Sequence, residues 1–175
     1  MRQINCIVVH TTATERITRV WPFFKYWIET LGWKREGGYH KVIFPSGEIS
    51  TLAEDQHIVN GCPDYNRNGL HIATIGGLKK DDRTPEQKES VMRQIKAWQS
   101  EYGIPDERVF PHYELDPRKS CPWYDPRKEL KAWQPKEDSP SEVNILPTVE
   151  DAMKIFRNAG NELINLSKGV TNDRK

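Results

Sequence analysis

The chain lacks the features that would direct it to a membrane, a polyanion or a cross-linked extracellular scaffold. Its longest apolar run is centred on Ile7-Val8-Val9, far short of the roughly 20 residues a membrane span requires. Met1-Arg2-Gln3-Ile4-Asn5 leads directly into a strand-like segment, so no export leader is read there and a cytoplasmic place of synthesis is expected. Cysteine is scarce: Cys6, Cys62 and Cys121 are too few, too irregular and odd in number for a disulfide framework. Free or metal-bound thiols are expected instead. Net charge is lacking too, because 26 Lys and Arg against 25 Asp and Glu leave +1. That excludes long-range attraction to nucleic acid or an anionic surface, so any partner must be recognised locally.

What is present suits one compact unit. A length of 175 residues fits a single domain with a short appendage. Charged residues are 29% of the chain and mean hydropathy is −0.78, yet 6 Trp, 6 Tyr and 5 Phe supply bulk for a core. Ile4 to Val9 is β-branched and apolar on both faces, the pattern of a central strand, with His10 at its end. Pro22, then Phe23, Phe24, Trp27, Ile28 and Leu31 before Gly32, predicts a helix over 21–31. Tyr39 to Phe44 and Glu48 to Leu52 flank Pro45-Ser46-Gly47 and predict a β-hairpin, and Leu70 to Ile75 a fourth strand. Thr84-Pro85-Glu86-Gln87 reads as a capping box opening a helix through Val91, Ile95, Trp98 and Tyr102 to Gly103. From Ile104 to Cys121 the prolines predict mostly loop, followed by a short helix from Asp125-Pro126 to about Trp133.

The organisation expected is therefore an α/β domain, a central mixed sheet flanked by helices, over residues 1–134. A Pro-, Ser- and acid-rich linker follows over 135–147, and an amphipathic tail helix through Met153, Phe156, Leu163 and Leu166 over 148–175. That tail is expected to pack back on the domain or to pair with another copy, with a dedicated targeting role as the alternative.

One constellation carries chemistry. His10 ends the first strand, Tyr39-His40 opens the hairpin, and His112-Tyr113-Glu114-Leu115-Asp116-Pro117-Arg118-Lys119-Ser120-Cys121-Pro122 follows the long helix. Zinc favours imidazole nitrogen and thiolate sulfur in a tetrahedron, and a catalytic site leaves one of the four positions open. His10, His112 and Cys121 would supply three, since Pro111, Pro117 and Pro122 forbid a regular helix and let His112 and Cys121 return from one loop. The Lys119 ammonium, two residues from Cys121, would favour its thiolate. Taken singly, a strand-end His, a lone Cys, a hairpin Tyr and a loop Lys all have structural readings.

Ile7-Val8-Val9-His10-Thr11-Thr12-Ala13-Thr14, Gly38-Tyr39-His40-Lys41-Val42-Ile43, Ile75-Gly76-Gly77 and His112 through Pro122 occur in an order that resembles the type 2 N-acetylmuramoyl-L-alanine amidases. That family includes the T7-type phage lysozyme and the peptidoglycan recognition proteins, and the resemblance spans about residues 3–133. It implies zinc bound by His10, His112 and Cys121, catalytic assistance from Tyr39 and Lys119, and a structural His40. The activity implied is hydrolysis of the lactyl-amide bond between N-acetylmuramic acid and L-alanine of peptidoglycan. The phage-type enzymes are the nearest likeness, because Lys119-Ser120-Cys121 keeps a Lys two residues before the Cys. A bacteriolytic endolysin acting on the cell wall after release, working as a monomer, is the expectation. A recognition protein that binds without cleaving, and a cytoplasmic amidase recycling soluble muropeptides, are the alternatives.

The chain departs from the phage-type pattern in two places. Pro45-Ser46-Gly47 stands where a charged Asp-Gly turn is usual, and the strand before Gly76-Gly77 carries an unusual His71. His57, Cys62 and His71 match no motif ligand, and Cys6 reads as core. Neither Glu114 nor Asp116 falls on a general-base position, although either could orient a ligand. Trp33, Tyr65 and Trp123 are candidate stacking surfaces for the substrate.

Overall fold

Six residues, Cys6–Thr11, form the strand on which everything else is hung (β1), and all six are buried. In the computed structural model, which describes residues 1–16, 19–33 and 37–135, β1 lies between two parallel neighbours. Val9 is thus not the last residue of the strand; His10 and Thr11 continue it, pairing with Ala73 and Thr74.

The other strands are Lys41–Ile43 (β2), Ile49–Thr51 (β3), Gly69–Thr74 (β4) and Val109–Pro111 (β5). They make one mixed five-stranded sheet in the order β3-β2-β4-β1-β5. Only the β2–β3 hairpin is antiparallel. Its turn closes as predicted, with Gly47 at φ +86° and its N–H donating to the Phe44 carbonyl at 2.8 Å. The fifth strand corrects the loop expected over 104–121. It is three residues long and ends in Pro111, too short for a periodic signal, yet pairing with the central strand orders it.

Helix α1 (Trp21–Lys25) continues as a π-helical turn over Tyr26–Thr30, so the helix expected over 21–31 is present, with its second half widened to i→i+5 pairing. Helix α2 (Pro85–Tyr102) has the anticipated capping box: the Thr84 hydroxyl accepts from Gln87 N–H at 3.1 Å and Gln87 Oε1 accepts from Thr84 N–H at 3.1 Å. It ends at Gly103 in the left-handed region, φ +65°. A single turn, α3 (His112–Leu115), follows β5 directly, and α4 (Pro126–Ala132) is capped by Asp125.

Each face of the sheet has its own core. On one, Ile7, Val9, Leu70 and Ile72 pack against Val91, Ile95 and Trp98 of α2. On the other, Val42 and Ala73 pack with Phe23 and Trp27 of the first helix. His10, which pairs with Ala73, and His71, which pairs with Val8, share that second face as diagonal neighbours on adjacent strands. The expected linker beyond 135 and the tail helix over 148–175 lie outside the described residues. Among the described residues no helix is long and apolar enough to cross a membrane.

Candidate metal centre

The carboxyl ends of the parallel strands β1 and β5 deliver the donors, which is where open α/β sheets ordinarily place ligands. His10 is the penultimate residue of β1. His112 opens α3 immediately after β5, and β5 is held in register by Pro111 opposite Val9. Cys121 returns from the proline-broken loop, and its carbonyl accepts from Tyr113 N–H at 2.9 Å, which ties that loop to α3.

The result is a close triad. His10 Nδ1 lies 3.0 Å from His112 Nδ1, and Cys121 Sγ lies 3.4 Å from His112 Nδ1. One donor atom from each of the three falls within 4.8 Å of the others, and among the described residues this is the one such group. His57, His71 and Cys62 stand outside it.

Its electrostatics keep the imidazoles neutral. Burial holds His10 well below its ordinary pKa, with His112, His71 and Lys119 adding to the effect. His112 is lowered to about 4, first by burial and then by Lys119, against Asp116. Cys121 is raised by burial, which outweighs the Thr11 backbone contact and the Lys119 ammonium that favour its thiolate. Lys119 therefore acts in the expected direction but does not by itself ionise the thiol. Neutral imidazole lone pairs beside a thiol are a donor set that fits a borderline-soft divalent ion, which would displace the thiol proton.

Tyr39 lies beside the His10 donor, its ring centroid 5.2 Å from that of His10 and edge-on to Trp27 at 5.6 Å. Burial first, then Cys121, pushes its hydroxyl above the usual tyrosine range, so it stays a proton donor. His40 is turned away from the triad. Its Nδ1 accepts from His71 N–H at 2.9 Å, which puts the hydrogen of the neutral ring on Nε2, next to the His57 carbonyl at 3.1 Å and Arg2 Nη2 at 3.0 Å. Glu114 is engaged by Arg127, and Asp116 by Arg118 at 2.8 Å.

Of the three aromatics singled out, Trp33 stacks on Trp27 at 6.2 Å and Tyr65 packs on Phe110 at 5.7 Å. Trp123 is 39% exposed, held by an Nε1–H bond to the Gly77 carbonyl at 2.8 Å. The departure at His71 gains a context that sequence spacing did not supply. It is fully buried, and its Nδ1 lies 3.1 Å from His10 Nε2.

Residues 1–124 match the sequence model of the N-acetylmuramoyl-L-alanine amidases. Among solved structures, N-acetylmuramoyl-L-alanine amidase LysC from Clostridium intestinale is 26% identical, with 75% of this chain and 85% of that one covered and a TM-score of 0.62. The Ph2119 endolysin from a Thermus scotoductus bacteriophage is 19% identical over 73% of this chain and 85% of its own, TM-score 0.60. Drosophila PGRP-LB shares the fold at 16% identity, 81% and 88% coverage and a TM-score of 0.63. No curated protein matches the chain. A family match over residues 1–124, on a mixed sheet shared with these amidases, means that the chain belongs to the N-acetylmuramoyl-L-alanine amidase family.

Proposed function

We propose that this chain is a zinc-dependent amidase of the endolysin type. It would hydrolyse the lactyl-amide bond between N-acetylmuramic acid and L-alanine. The catalytic domain of this reading is residues 1–134. The observation that carries the reading is the convergence of His10 Nδ1, His112 Nδ1 and Cys121 Sγ at the strand ends.

These three side chains would hold zinc, and three protein donors leave a fourth position open, as in catalytic sites. Bound there, the metal supplies Lewis acidity, polarising a carbonyl and acidifying water. The chain's own residues do the rest. Lys119, whose positive charge is felt by both imidazoles and the thiol, stabilises negative charge developing on the scissile carbonyl oxygen. Tyr39, kept protonated by burial, donates to the departing nitrogen or orients the attacking water. Trp123 offers an exposed indole face beside Cys121 on which an apolar part of the substrate can rest.

The retained donor set favours cleavage over binding alone. The test is release of new L-alanine amino termini from purified peptidoglycan. Zinc-loaded protein releases them, while chelated protein and Cys121→Ala do not. Lys119→Ala slows release on the order of 10²-fold, the usual cost of one oxyanion donor. Tight wall binding with no amine released in any sample would favour a recognition protein. Cleavage confined to soluble muropeptides, with intact sacculi untouched, would favour a recycling enzyme over an endolysin.

A further inference from the structure

Four imidazoles run in a row across the site face of the sheet. His40 stacks on His71 at 5.8 Å between centroids, His71 on His10 at 5.3 Å, and His10 meets His112 edge-on at 4.4 Å. His71 is fully buried on β4 and touches the proposed metal donors through one atom pair, Nδ1 to His10 Nε2 at 3.1 Å. A neutral imidazole carries one hydrogen on either nitrogen, so this contact exists in two forms. In one, His10 Nε2–H donates to His71, and the His10 Nδ1 lone pair is free to face His112 and Cys121. In the other, His71 Nδ1–H donates to His10, the hydrogen of His10 moves to Nδ1, and that nitrogen cannot bind a cation.

The far side of His71 decides between them. Its Nε2 is buried and has no hydrogen-bond partner. The Tyr65 carbonyl oxygen and His71 Nε2 both border Gly69: a Cβ there would lie 2.6 Å from the one and 3.3 Å from the other. A carbonyl oxygen on that side of the ring favours the hydrogen at Nε2, because a lone pair there would leave two buried acceptors close together. With hydrogen on Nε2, His71 Nδ1 has only its lone pair to offer and must accept. On the other flank, the His71 main-chain N–H is used by His40 Nδ1 at 2.9 Å, which pins the strand beneath the ring.

We propose that His71 is a positioning residue for the metal centre, fixing His10 as the Nε2–H tautomer so that its Nδ1 lone pair points at His112 and Cys121. The inference rests on the zinc reading of the site and names the group that prepares one donor for it. A hydrogen-bond acceptor behind a ligating imidazole fixes its tautomer, sets its orientation and raises its basicity, and losing such a partner commonly costs 10–100-fold in metal affinity.

The experiment compares full-length wild type, His71→Leu and His71→Asn, whose amide oxygen takes a place near that of Nδ1. The ¹⁵N shifts of the His10 ring are read in metal-free protein near pH 7.5, and zinc affinity by competition with a chromophoric chelator. The expected results are an Nε2–H tautomer for His10 in wild type, zinc binding 10–100-fold weaker in His71→Leu, and recovery to within a few-fold in His71→Asn. An Nδ1–H tautomer in metal-free wild type overturns the proposal. So does wild-type zinc affinity in a His71→Leu protein whose metal-free Tm is unchanged. If His71→Leu does not fold, the wild-type tautomer and His71→Asn affinity still decide. If wild type binds no zinc, the metal reading fails by itself, and the tautomer alone upholds or overturns the role of His71.

Discussion

Gly61 shows how little room surrounds the row of histidines. A Cβ at this position would lie 2.3 Å from His71 Nδ1 and 2.6 Å from the Gly38 carbonyl oxygen. One obstacle is a ring hemmed in by His10 and His40, and the other is backbone, so neither gives way cheaply. Gly61→Ala is expected to cost about 1–3 kcal/mol as overpacking, lowering Tm by roughly 2–4 °C for each kcal/mol. Gly103→Ala is the contrast. Nothing lies within 4 Å of its Cβ, and only its φ of +65° objects, so about 1 kcal/mol is expected from left-handed strain. Thermal melts of both variants check the difference. A Gly61→Ala protein as stable as wild type would mean that the ring beside it is far less confined than these distances state.

At the scale of elements, the packing of α2 against α4 turns on one buried cation. The Arg83 side chain is 1% exposed and pairs with Asp81 at 2.9 Å and Glu129 at 2.7 Å. Its guanidinium also lies 3.1 Å from the Tyr124 ring centroid. Glu129 belongs to α4 and Arg83 directly precedes the Thr84 cap of α2, so the pair clamps the two helices at their N-terminal ends. Arg83→Met removes the cation and leaves two carboxylates facing each other. Because both are partly open to solvent they can rehydrate, and the loss is expected near the lower end of the buried-pair range, about 3 kcal/mol. Urea denaturation reads it. The double variant Arg83→Met with Glu129→Gln recovers part of the loss if repulsion between the carboxylates contributes, and recovers none if the clamp acts through Tyr124 alone.

Legibility follows the same physics of local against long-range signals. Helix α2 is readable in sequence because its boundaries are written locally, Thr84 and Gln87 at one end and Gly103 at the other. The hairpin is readable from Pro45-Ser46-Gly47. Strand β5 is not, because three residues ending in proline become a strand only by pairing with β1 across about 100 residues of sequence. The π-helical turn over Tyr26–Thr30 also leaves no periodic mark in so short a run. In the site, His10, Tyr39, His112, Lys119 and Cys121 are picked out by motif order, and β1, β5 and the loop bring the three donors among them to one point. His71 looks in sequence like an odd polar residue in an apolar strand. Only the parallel register of β1 with β4 makes it the neighbour of His10.

For the whole molecule, burying neutral histidines couples folding to pH. His40 contacts none of the proposed metal donors and isolates the effect. Its pKa is pushed down to about 3, first by burial; the His57 carbonyl opposes this, while Arg2 and Lys41 add to it. In the unfolded chain the ring titrates near 6.5. Between those values the unfolded chain binds a proton that the folded chain refuses, so stability falls as pH falls. The His40 contribution is fully present above about pH 6.5 and is lost progressively towards pH 3. The net charge of +1 gives no broad repulsion near neutrality to mask it. Metal-free protein is therefore expected to melt at a clearly lower temperature at pH 5 than at pH 7.5. His40→Asn keeps an acceptor for the His71 N–H but cannot take up a proton. It should start from a lower Tm at pH 7.5 and decline less steeply between the two pH values. Equal slopes for wild type and His40→Asn would assign the acid sensitivity elsewhere, to the imidazoles at the strand ends.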